Sequence, residues 1–191
     1  MDTRSAILQR RSIRRFLPRP VADEILTDLV NLARLHATGA NSQPLRFAII
    51  SRKPMTDKTF SHLKWAMFLP DFEIREDQRP AAYIVLLRDE TVSKSCSYDV
   101  GAASTTIMIA AEYYGLATCA LASFSREKLA ETLNLPAHLH PELVIAVGYP
   151  DQKSHAIPYA GSKKYFEAED GTLQVPKHSL EEVLFFSDTE S

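Results

Sequence analysis

The chain has 191 residues, of which 45% are hydrophobic and 24% are charged, and its formal net charge is −2 at pH 7. This length and composition predict one globular domain, and the charge argues against general binding to nucleic acid or to a membrane surface. The first fifteen residues carry five arginines and no apolar stretch of the signal-peptide type. No apolar run reaches the ~20 residues that a membrane-spanning helix needs. We therefore expect a soluble, cytoplasmic protein.

Hydrophobic periodicity and turn residues predict an ordered series of helices and strands. In chain order these are a short helix around residues 5–8, a helix at 22–36, a strand at 46–50, a helix at 54–64, an irregular segment at 65–80, a strand at 82–87, a helix at 98–114, a strand at 118–122, a helix at 125–133 and a strand at 143–148. The helix at 98–114 has small and apolar residues nearly all round, which is typical of a core helix. The expected class is α+β, with a few strands around this buried helix.

Residues 149–191 differ in composition from the preceding part of the chain. They are polar until a late apolar cluster that ends in Leu184-Phe185-Phe186. Such a tail is either disordered or attached to another surface, and the apolar cluster favours attachment. We therefore expect a core at 1–150 and a C-terminal extension of the same domain at 151–191.

Four arginines, Arg10, Arg11, Arg14 and Arg15, surround Ser12. Closely spaced guanidinium groups repel one another unless an anion or several carboxylates join them. Arginine forks suit phosphate oxygens, and a serine hydroxyl supplies a further donor. The pattern by itself fits a phosphate site and a solvated helix end with scattered surface arginines equally well.

Asn41 and Gln43 stand two residues apart in a loop that ends at Pro44. Their amides offer donors and acceptors on the same side of an extended chain, which suits the edge of a heterocycle. Taken alone, the pattern favours a turn in which these side chains bond to their own backbone.

The other chemical signals in the sequence are negative. There is no glycine-rich dinucleotide motif, no P-loop and no Gly-x-Ser-x-Gly elbow. His138 and His140 lack neighbouring ligands, so we predict a surface pair and no metal site. Cys96 and Cys119 match no disulfide or zinc pattern, and we expect one buried and one surface thiol. A bound organic cofactor that brings its own reactivity would explain an anion site beside a polar loop.

Five segments resemble, in order and spacing, motifs of the nitroreductase family of flavoproteins. Residues 10–16 (Arg-Arg-Ser-Ile-Arg-Arg-Phe) resemble its N-terminal Arg-Arg-Ser-x-Arg-x-Phe motif, and residues 39–44 (Gly-Ala-Asn-Ser-Gln-Pro) resemble its Ser/Gly-x-Asn-x-Gln-Pro loop. Residues 99–116 are similar to its central helix, residues 144–150 to its closing strand, and residues 177–183 to its basic-x-x-Leu-Glu-Glu-Val element. The resemblance covers nearly the whole chain.

The resemblance implies a nitroreductase-like α+β fold, with a mixed or antiparallel sheet around the buried helix. It also implies an entwined homodimer that holds FMN at the subunit interface. In such a dimer the extension at 151–191 wraps over the partner and brings Lys177 to a phosphate.

Residue by residue, the family pattern assigns the FMN phosphate to Arg10, Ser12 and Lys177, with Arg11 nearby. It places Arg14 against the N1/O2 side of the isoalloxazine, where a positive charge stabilises the reduced flavin.

Asn41, and with it Gln43, is expected to bond the pyrimidine or ribityl edge, and Ser42 to contact the cofactor through its backbone. The strand end Ala120-Leu121-Ala122-Ser123 is expected to face the flavin, with a backbone N–H of Ala122 or Ser123 near N5. Many relatives have a proline and an acidic residue at the two alanines, so only backbone contacts are expected there.

The implied reaction is a ping-pong transfer of hydride from NADH or NADPH through FMN to a nitroaromatic, a quinone or an activated alkene. Arg14, Ala122 and Ser123 are the expected catalytic positions, and no side-chain general acid is evident. The short lid segment at 65–80 leaves the substrate pocket poorly specified. Its aromatic residues either line that pocket or belong to the core: Trp65, Phe68 and Phe72.

Three other functions stay open on the sequence. The first is a specialised flavin dehalogenase or dehydrogenase, and the second is a non-catalytic protein that binds or stores FMN. The third is a basic-patch binding module without a cofactor, which the net charge and the Asn41–Gln43 loop disfavour.

Overall fold

A computed structural model of the chain describes residues 2–69 and 71–188. The helices are α1 (Thr3–Gln9), α2 (Asp23–Ala33), α3 (Met55–His62), α4 (Ser97–Tyr113), α5 (Arg126–Thr132) and α6 (Leu180–Val183). The strands are β1 (Leu45–Ile50), β2 (Ala82–Asp89), β3 (Ala117–Leu121), β4 (Leu139–Gly148), β5 (Ser154–Pro158), β6 (Phe166–Glu167) and β7 (Leu173–Lys177). Pro70, in the predicted lid segment, and residues 189–191, in the predicted extension, lie outside the described residues.

The main sheet has four antiparallel strands in the order β1-β2-β4-β3. The first six residues of β2, which carry its continuous apolar run, are all buried. This confirms the predicted central strand, because a strand needs apolar side chains on both faces only when both faces are covered. The α+β class is likewise confirmed.

Helices cover both faces of this sheet. On one face Leu26 and Leu29 of α2 and Ile107 of α4 pack with Ile84 and Ile145 of the central strands. On the other face a second apolar cluster forms around four fully or almost fully buried residues: Phe16, Tyr83, Leu129 and Val144. The two clusters hold the sheet as a rigid platform for the segments at its edges.

Helix α4 is buried on one side only within the single chain. Its buried residues are Ala103, Ser104, Ile107 and Ala111. Tyr98 and Tyr113 on its other side are 95% and 71% exposed. The prediction of burial nearly all round therefore holds for one face of the helix, and the second face has no cover from its own chain.

Residues 154–177 form a separate three-stranded sheet in the order β5-β7-β6, with β5 parallel and β6 antiparallel to β7. The segment folds back on its own chain, where the Asp151 N–H donates to the Arg15 carbonyl at 2.9 Å. Up to β7, the tail is therefore ordered and attached to the core of its own chain. Its late apolar residues are exposed in the single chain: Leu180, Val183, Leu184, Phe185 and Phe186.

Both cysteines are buried, so the prediction of one surface thiol is wrong. Cys96 directly precedes α4 and packs in the cluster formed by α2 and α4. The residues on either side of Cys96 are mostly polar, so the sequence gives no sign that this cysteine is buried in the cluster. Within the described residues, no helix is long and apolar enough to cross a membrane.

Candidate cofactor site

The N-terminal arginine segment runs along the free edge of β3. Ser12 forms a parallel bridge with Thr118, and the Ile13 N–H donates to the Thr118 carbonyl at 3.0 Å. Ile13 and Phe16 are buried, whereas the four arginines are half-buried. The apolar residues therefore anchor the segment and leave the arginine side chains partly exposed between them.

Arg10 and Arg11 lie against the second half of α4. An Arg10 Nη1–H points at the Met108 Sδ, 3.8 Å away, and Arg11 donates to the carbonyl of Arg10. Burial lowers the pKa of Arg11, and the neighbouring charge of Arg10 lowers it further. Burial raises the pKa of the Glu112 carboxyl, although Arg10 and Arg11 both oppose that rise. Arg10 and Arg11 thus both interact electrostatically with the carboxylate of Glu112. Two positive charges face one negative charge, so the local charge is positive.

Arg11 and Arg14 each keep a buried Nε–H that has no hydrogen-bond partner among the described residues. Buried donors normally have a partner, and an unpaired one costs free energy. Arg15 differs, because it donates to both carboxylate oxygens of Glu167 and is already paired. The donors left over at Arg11 and Arg14 fit an anionic ligand such as a phosphate group.

The end of β3 presents backbone groups beside this arginine surface. Leu121 is buried, and Ala120, Ala122 and Ser123 are exposed. The Thr118 carbonyl points outward to the N-terminal segment. Because backbone groups alternate in direction along a strand, the N–H groups of Ala120 and Ala122 point toward the same outer edge. The Ser123 carbonyl accepts a hydrogen bond from the Lys64 N–H at 3.0 Å.

The loop of Asn41, Ser42 and Gln43 is an exposed and unusual turn. Ala40, Asn41 and Gln43 have φ angles of 49°, 54° and 51°, in the left-handed region that side chains other than glycine and asparagine rarely adopt. The Gln43 Nε2–H donates to the Asn41 carbonyl at 3.3 Å. This is the self-bonded turn that the sequence alone favoured, and strain of this kind is often found where a loop meets a ligand.

The loop and the arginine segment lie at diagonally opposite corners of the main sheet. Ser12 adds a bridge outside β3, which places it about 19 Å from β1 at four strand spacings. Across the sheet, Thr118 and Ala82 of β2 both pair with Val147 of β4. Ala82 adjoins Tyr83, the partner of Ile50, so this row of residues lies at the C-terminal end of β1. The loop joins β1 at Leu45, about 20 Å away along the strand. The fold therefore does not bring these two predicted halves of the site together within one chain.

Lys177 is the last residue of β7 and is exposed. It pairs with Pro158, and its carbonyl accepts a hydrogen bond from the Tyr159 N–H at 2.8 Å. The predicted phosphate contact of Lys177 stays a prediction.

The lid aromatics contact other side chains of the same chain. Trp65 stacks on Phe60 with ring centroids 5.6 Å apart, and Phe68 meets Tyr165 edge to face at 5.2 Å. The Arg15 guanidinium lies over the ring of Phe72, with its central carbon 4.6 Å from the ring centroid. The structural role therefore fits Trp65 and Phe68 in the single chain, whereas Phe72 also borders a small cleft of about 200 Å³ with Leu69, Asp71 and Glu167.

Two tail residues at this site were not predicted. Gln152 accepts a hydrogen bond from the Arg14 N–H through its Oε1 at 3.1 Å, and the Tyr165 ring centroid lies 4.6 Å from the Arg14 guanidinium carbon. Neither residue lies in a recognisable motif, and both reach Arg14 only because the tail folds back. No signal in the sequence identifies them.

The larger clefts do not coincide with the predicted site. A cleft of about 490 Å³ beside Tyr83 is bordered by charged residues that include Lys53 just before α3, Asp57 in α3 and Arg79 in the lid. A more polar one of about 790 Å³ lies beside Arg15 and Gln152. Neither of these two clefts is bordered by Arg10, Ser12 or the end of β3.

The fold is an α+β domain in which helices cover both faces of an antiparallel sheet and an arginine-rich segment lies along one sheet edge. Residues 7–149 match the model of the nitroreductase family. A protein of Archaeoglobus fulgidus named "Putative NADH dehydrogenase/NAD(P)H nitroreductase" is 27% identical over 172 residues, which cover 86% of this chain and 89% of that protein. An NADH dehydrogenase of Thermus thermophilus is 24% identical, over 83% of this chain and 93% of its own.

Solved structures agree with this result. An FMN-dependent nitroreductase of Clostridium difficile R20291 superposes with a TM-score of 0.66 at 20% identity, over 78% of this chain and 88% of that one. At this identity the likeness establishes the fold. Since the family match spans most of the sequence, the chain belongs to the nitroreductase family.

Proposed function

We propose that the protein is an FMN-dependent NAD(P)H oxidoreductase that reduces nitroaromatic, quinone or activated-alkene acceptors. The observation that carries the proposal is the pair of buried Nε–H donors of Arg11 and Arg14, which lie beside the edge of β3 and have no hydrogen-bond partner among the residues that the structure describes. The names of the relatives, which include NADH dehydrogenase and NAD(P)H nitroreductase, support the same reaction class.

The residues present fit FMN. Arg10, Arg11 and the Ser12 hydroxyl offer donors to the phosphate group, and Lys177 completes this set in our proposal. Arg14 lies farther along the same edge and offers its charge to the N1/O2 side of the flavin ring. The backbone N–H groups at Ala122 or Ser123 serve the N5 side.

The bound cofactor supplies the redox chemistry, because FMN accepts a hydride from NAD(P)H and passes it to an acceptor. The chain itself orients the reactants and places the positive charge of Arg14. Its buried thiols take no part, because burial raises the pKa of Cys119 and raises the pKa of Cys96 to about 11. Among the described residues no carboxylic acid or histidine is seen to contact the edge of β3, so we assign that proton to solvent.

We further propose that the working unit is a homodimer in which each site combines two chains. Residues 1–150 form the core. In the extension at 151–191, residues 151–177 pack on the same chain, and we propose that the part after β7 wraps over the partner. The exposed side of α4 and the apolar residues after β7 supply the surfaces that such a partner covers. Because the Asn41 loop and the arginine segment occupy opposite corners of one sheet, the loop of the second chain completes the site.

A subunit-complementation experiment tests this sharing. One chain carries Arg10→Ala with Arg14→Ala, and the other carries Asn41→Ala with Gln43→Ala. Each variant alone is expected to bind FMN poorly. When the two are unfolded and refolded together, each mixed dimer regains one intact site and FMN binding returns in about half of the mixed dimers' sites. If mixed dimers form and bind no more FMN than the parents, the loop and the arginines belong to the same chain's site.

The phosphate contacts have a separate test. Riboflavin lacks the phosphate group, so the protein is expected to bind FMN at least about a hundredfold more tightly, in line with two charge-assisted hydrogen bonds. Replacement of both Arg10 and Arg11 by Ala is expected to remove most of that preference. Replacement of Arg34 by Ala on α2 is the matched control, because Arg34 bonds to Asn31 far from this edge.

A further inference from the structure

Arg14 is held in an unusual way for a half-buried arginine. Its main chain is fixed on both sides, because the neighbouring Ile13 N–H bonds to Thr118 and its own N–H bonds to Gln152 at 3.1 Å. Within the described residues, no carboxylate lies within ion-pair distance of its guanidinium group. The flexible side chain is ordered instead by the ring of Tyr165, whose centroid lies 4.6 Å away.

Tyr165 is itself held in place by a contact with the lid segment and by an ion pair of a nearby tail residue. Its ring meets Phe68 edge to face at 5.2 Å. Two residues later, Glu167 pairs with Arg15, the sequence neighbour of Arg14. The segment 165–167 therefore contacts both arginines: the Tyr165 ring packs against Arg14, and the Glu167 carboxylate pairs with Arg15.

The aromatic contact and the ion pair have different electrostatic consequences. A carboxylate neutralises the arginine that it pairs with, as Glu167 does for Arg15. An aromatic face attracts the cation and restricts its motion, but it leaves the full charge and the N–H groups at the edge of the guanidinium free. The unpartnered Nε–H of Arg14 agrees with a group that is positioned but not neutralised.

We infer that Tyr165 is a positioning residue that holds Arg14, fully charged, against the flavin ring, so that it sets the preference of the protein for reduced over oxidised FMN. This inference rests on the proposed FMN site. Tyr165 acts through Arg14 and makes no contact of its own with the reacting atoms. Its aromatic ring matters for this role, and its hydroxyl does not.

Two variants separate the ring from the hydroxyl. Tyr165→Leu removes the aromatic face, and Tyr165→Phe keeps it. We expect the preference for reduced FMN to fall about five- to tenfold in Tyr165→Leu, which for a two-electron couple is a midpoint potential about 20–30 mV lower. Tyr165→Phe is expected to keep the wild-type potential. Phe166→Leu, in the adjacent and more exposed position, is the matched control and is expected to change neither quantity.

The double variant with Arg14→Gln tests whether Tyr165 acts through Arg14. Once the charge at Arg14 is gone, Tyr165→Leu is expected to lower the potential no further. An equal drop in both backgrounds would overturn the inference, as would an unchanged potential in Tyr165→Leu with FMN still bound. If the wild-type protein binds no FMN at all, the proposed function fails, and this inference fails with it.

A measurement on the flavin-free protein reports the contact directly. The Arg14 Hε resonance, identified by its absence in Arg14→Lys, is expected to be shifted upfield by the ring current of Tyr165 in the wild type and in Tyr165→Phe. It is expected to lose that shift in Tyr165→Leu. Thermal unfolding of each variant shows that it is folded. A wild-type resonance at the ordinary position would contradict the proposed contact whatever the flavin does.

Discussion

Phe16 packs its ring directly against the α-carbon of Gly148. A β-carbon built on Gly148 lies 2.9 Å from Phe16 Cδ1, closer than any neighbour can tolerate without moving, and Phe16 is fully buried. The aromatic residue that ends the arginine motif is thus seated on the glycine that ends β4. This contact explains why two distant motifs carry these residue types, and it holds the arginine segment at the edge of the sheet.

Replacement of Gly148 by Ala is expected to lower the free energy of unfolding by about 1–3 kcal/mol, because the added methyl group overpacks a closed site. Urea unfolding of the flavin-free protein measures it. Phe16→Leu in the same chain makes room for the methyl group, so the double variant is expected to be more stable than the sum of the two single changes implies. Strict additivity would show that the two residues are not in contact.

The bidentate pair between Arg15 and Glu167 fixes the folded-back tail to the core. Its side chains are only 23% and 28% exposed. Glu167→Gln is therefore expected to lower the free energy of unfolding by about 1 kcal/mol, and Arg52→Gln, in a pair with Asp23 that is far more exposed, by less than about 0.5 kcal/mol. Equal effects in chemical denaturation would show that the tail contact is no stronger than a surface pair.

Glu112 predicts a dependence of stability on pH. Burial raises its pKa in the folded chain, so between the ordinary carboxyl value and the raised value the folded state binds more protons than the unfolded state. The free energy of unfolding then falls as the pH rises through that window. Glu112→Gln removes this contribution and is expected to gain stability relative to the wild type as the pH rises.

Urea unfolding of the flavin-free protein from pH 4 upward, with both chains in the same buffers, measures the difference. Glu131→Gln, at an exposed position of α5, is the matched control. A gap between Glu112→Gln and the wild type that is constant with pH would contradict the raised pKa.

The parts of the fold that were predicted share a local cause. The apolar run of β2 and the glycine at position 115, which ends α4 with a φ of 66°, are specified by neighbouring residues. The small sheet of β5, β6 and β7 was not predicted. Its strands are only two to five residues long and two of them contain proline. The pairing of β5 with β7 depends on a return of the chain rather than on alternation.

The candidate site shows the same division. The arginine segment was found because four cations in a weakly acidic protein are locally conspicuous. The sequence also suggested the Asn41 loop, but nothing local indicates that it lies at the opposite corner of the sheet. The contact between Arg14 and Tyr165 is invisible in the sequence, because it joins the N-terminal segment to the tail. Long-range contacts of this kind follow from the fold and from no pattern of neighbouring residues.

Arg14→Ala is expected to weaken FMN binding about tenfold or more and to lower the flavin midpoint potential, since a positive charge at this position favours the reduced form. Fluorescence titration of the flavin-free protein and a potentiometric titration measure the two quantities. Arg19→Ala is the matched control, because Arg19 also lies over an aromatic ring, that of Tyr149. An unchanged affinity and potential in Arg14→Ala would remove Arg14 from the site.

The central claim is tested most directly by the visible spectrum of the purified protein, reconstituted with FMN if needed, before and after anaerobic addition of NADH or NADPH. We predict an absorbance band at about 450 nm that bleaches with a pyridine nucleotide and returns on addition of a quinone or nitroaromatic acceptor. A band that persists with both nucleotides would indicate a protein that binds FMN without using it. A protein that stays colourless after reconstitution would contradict the proposed function and leave the arginine edge as a site for another anion.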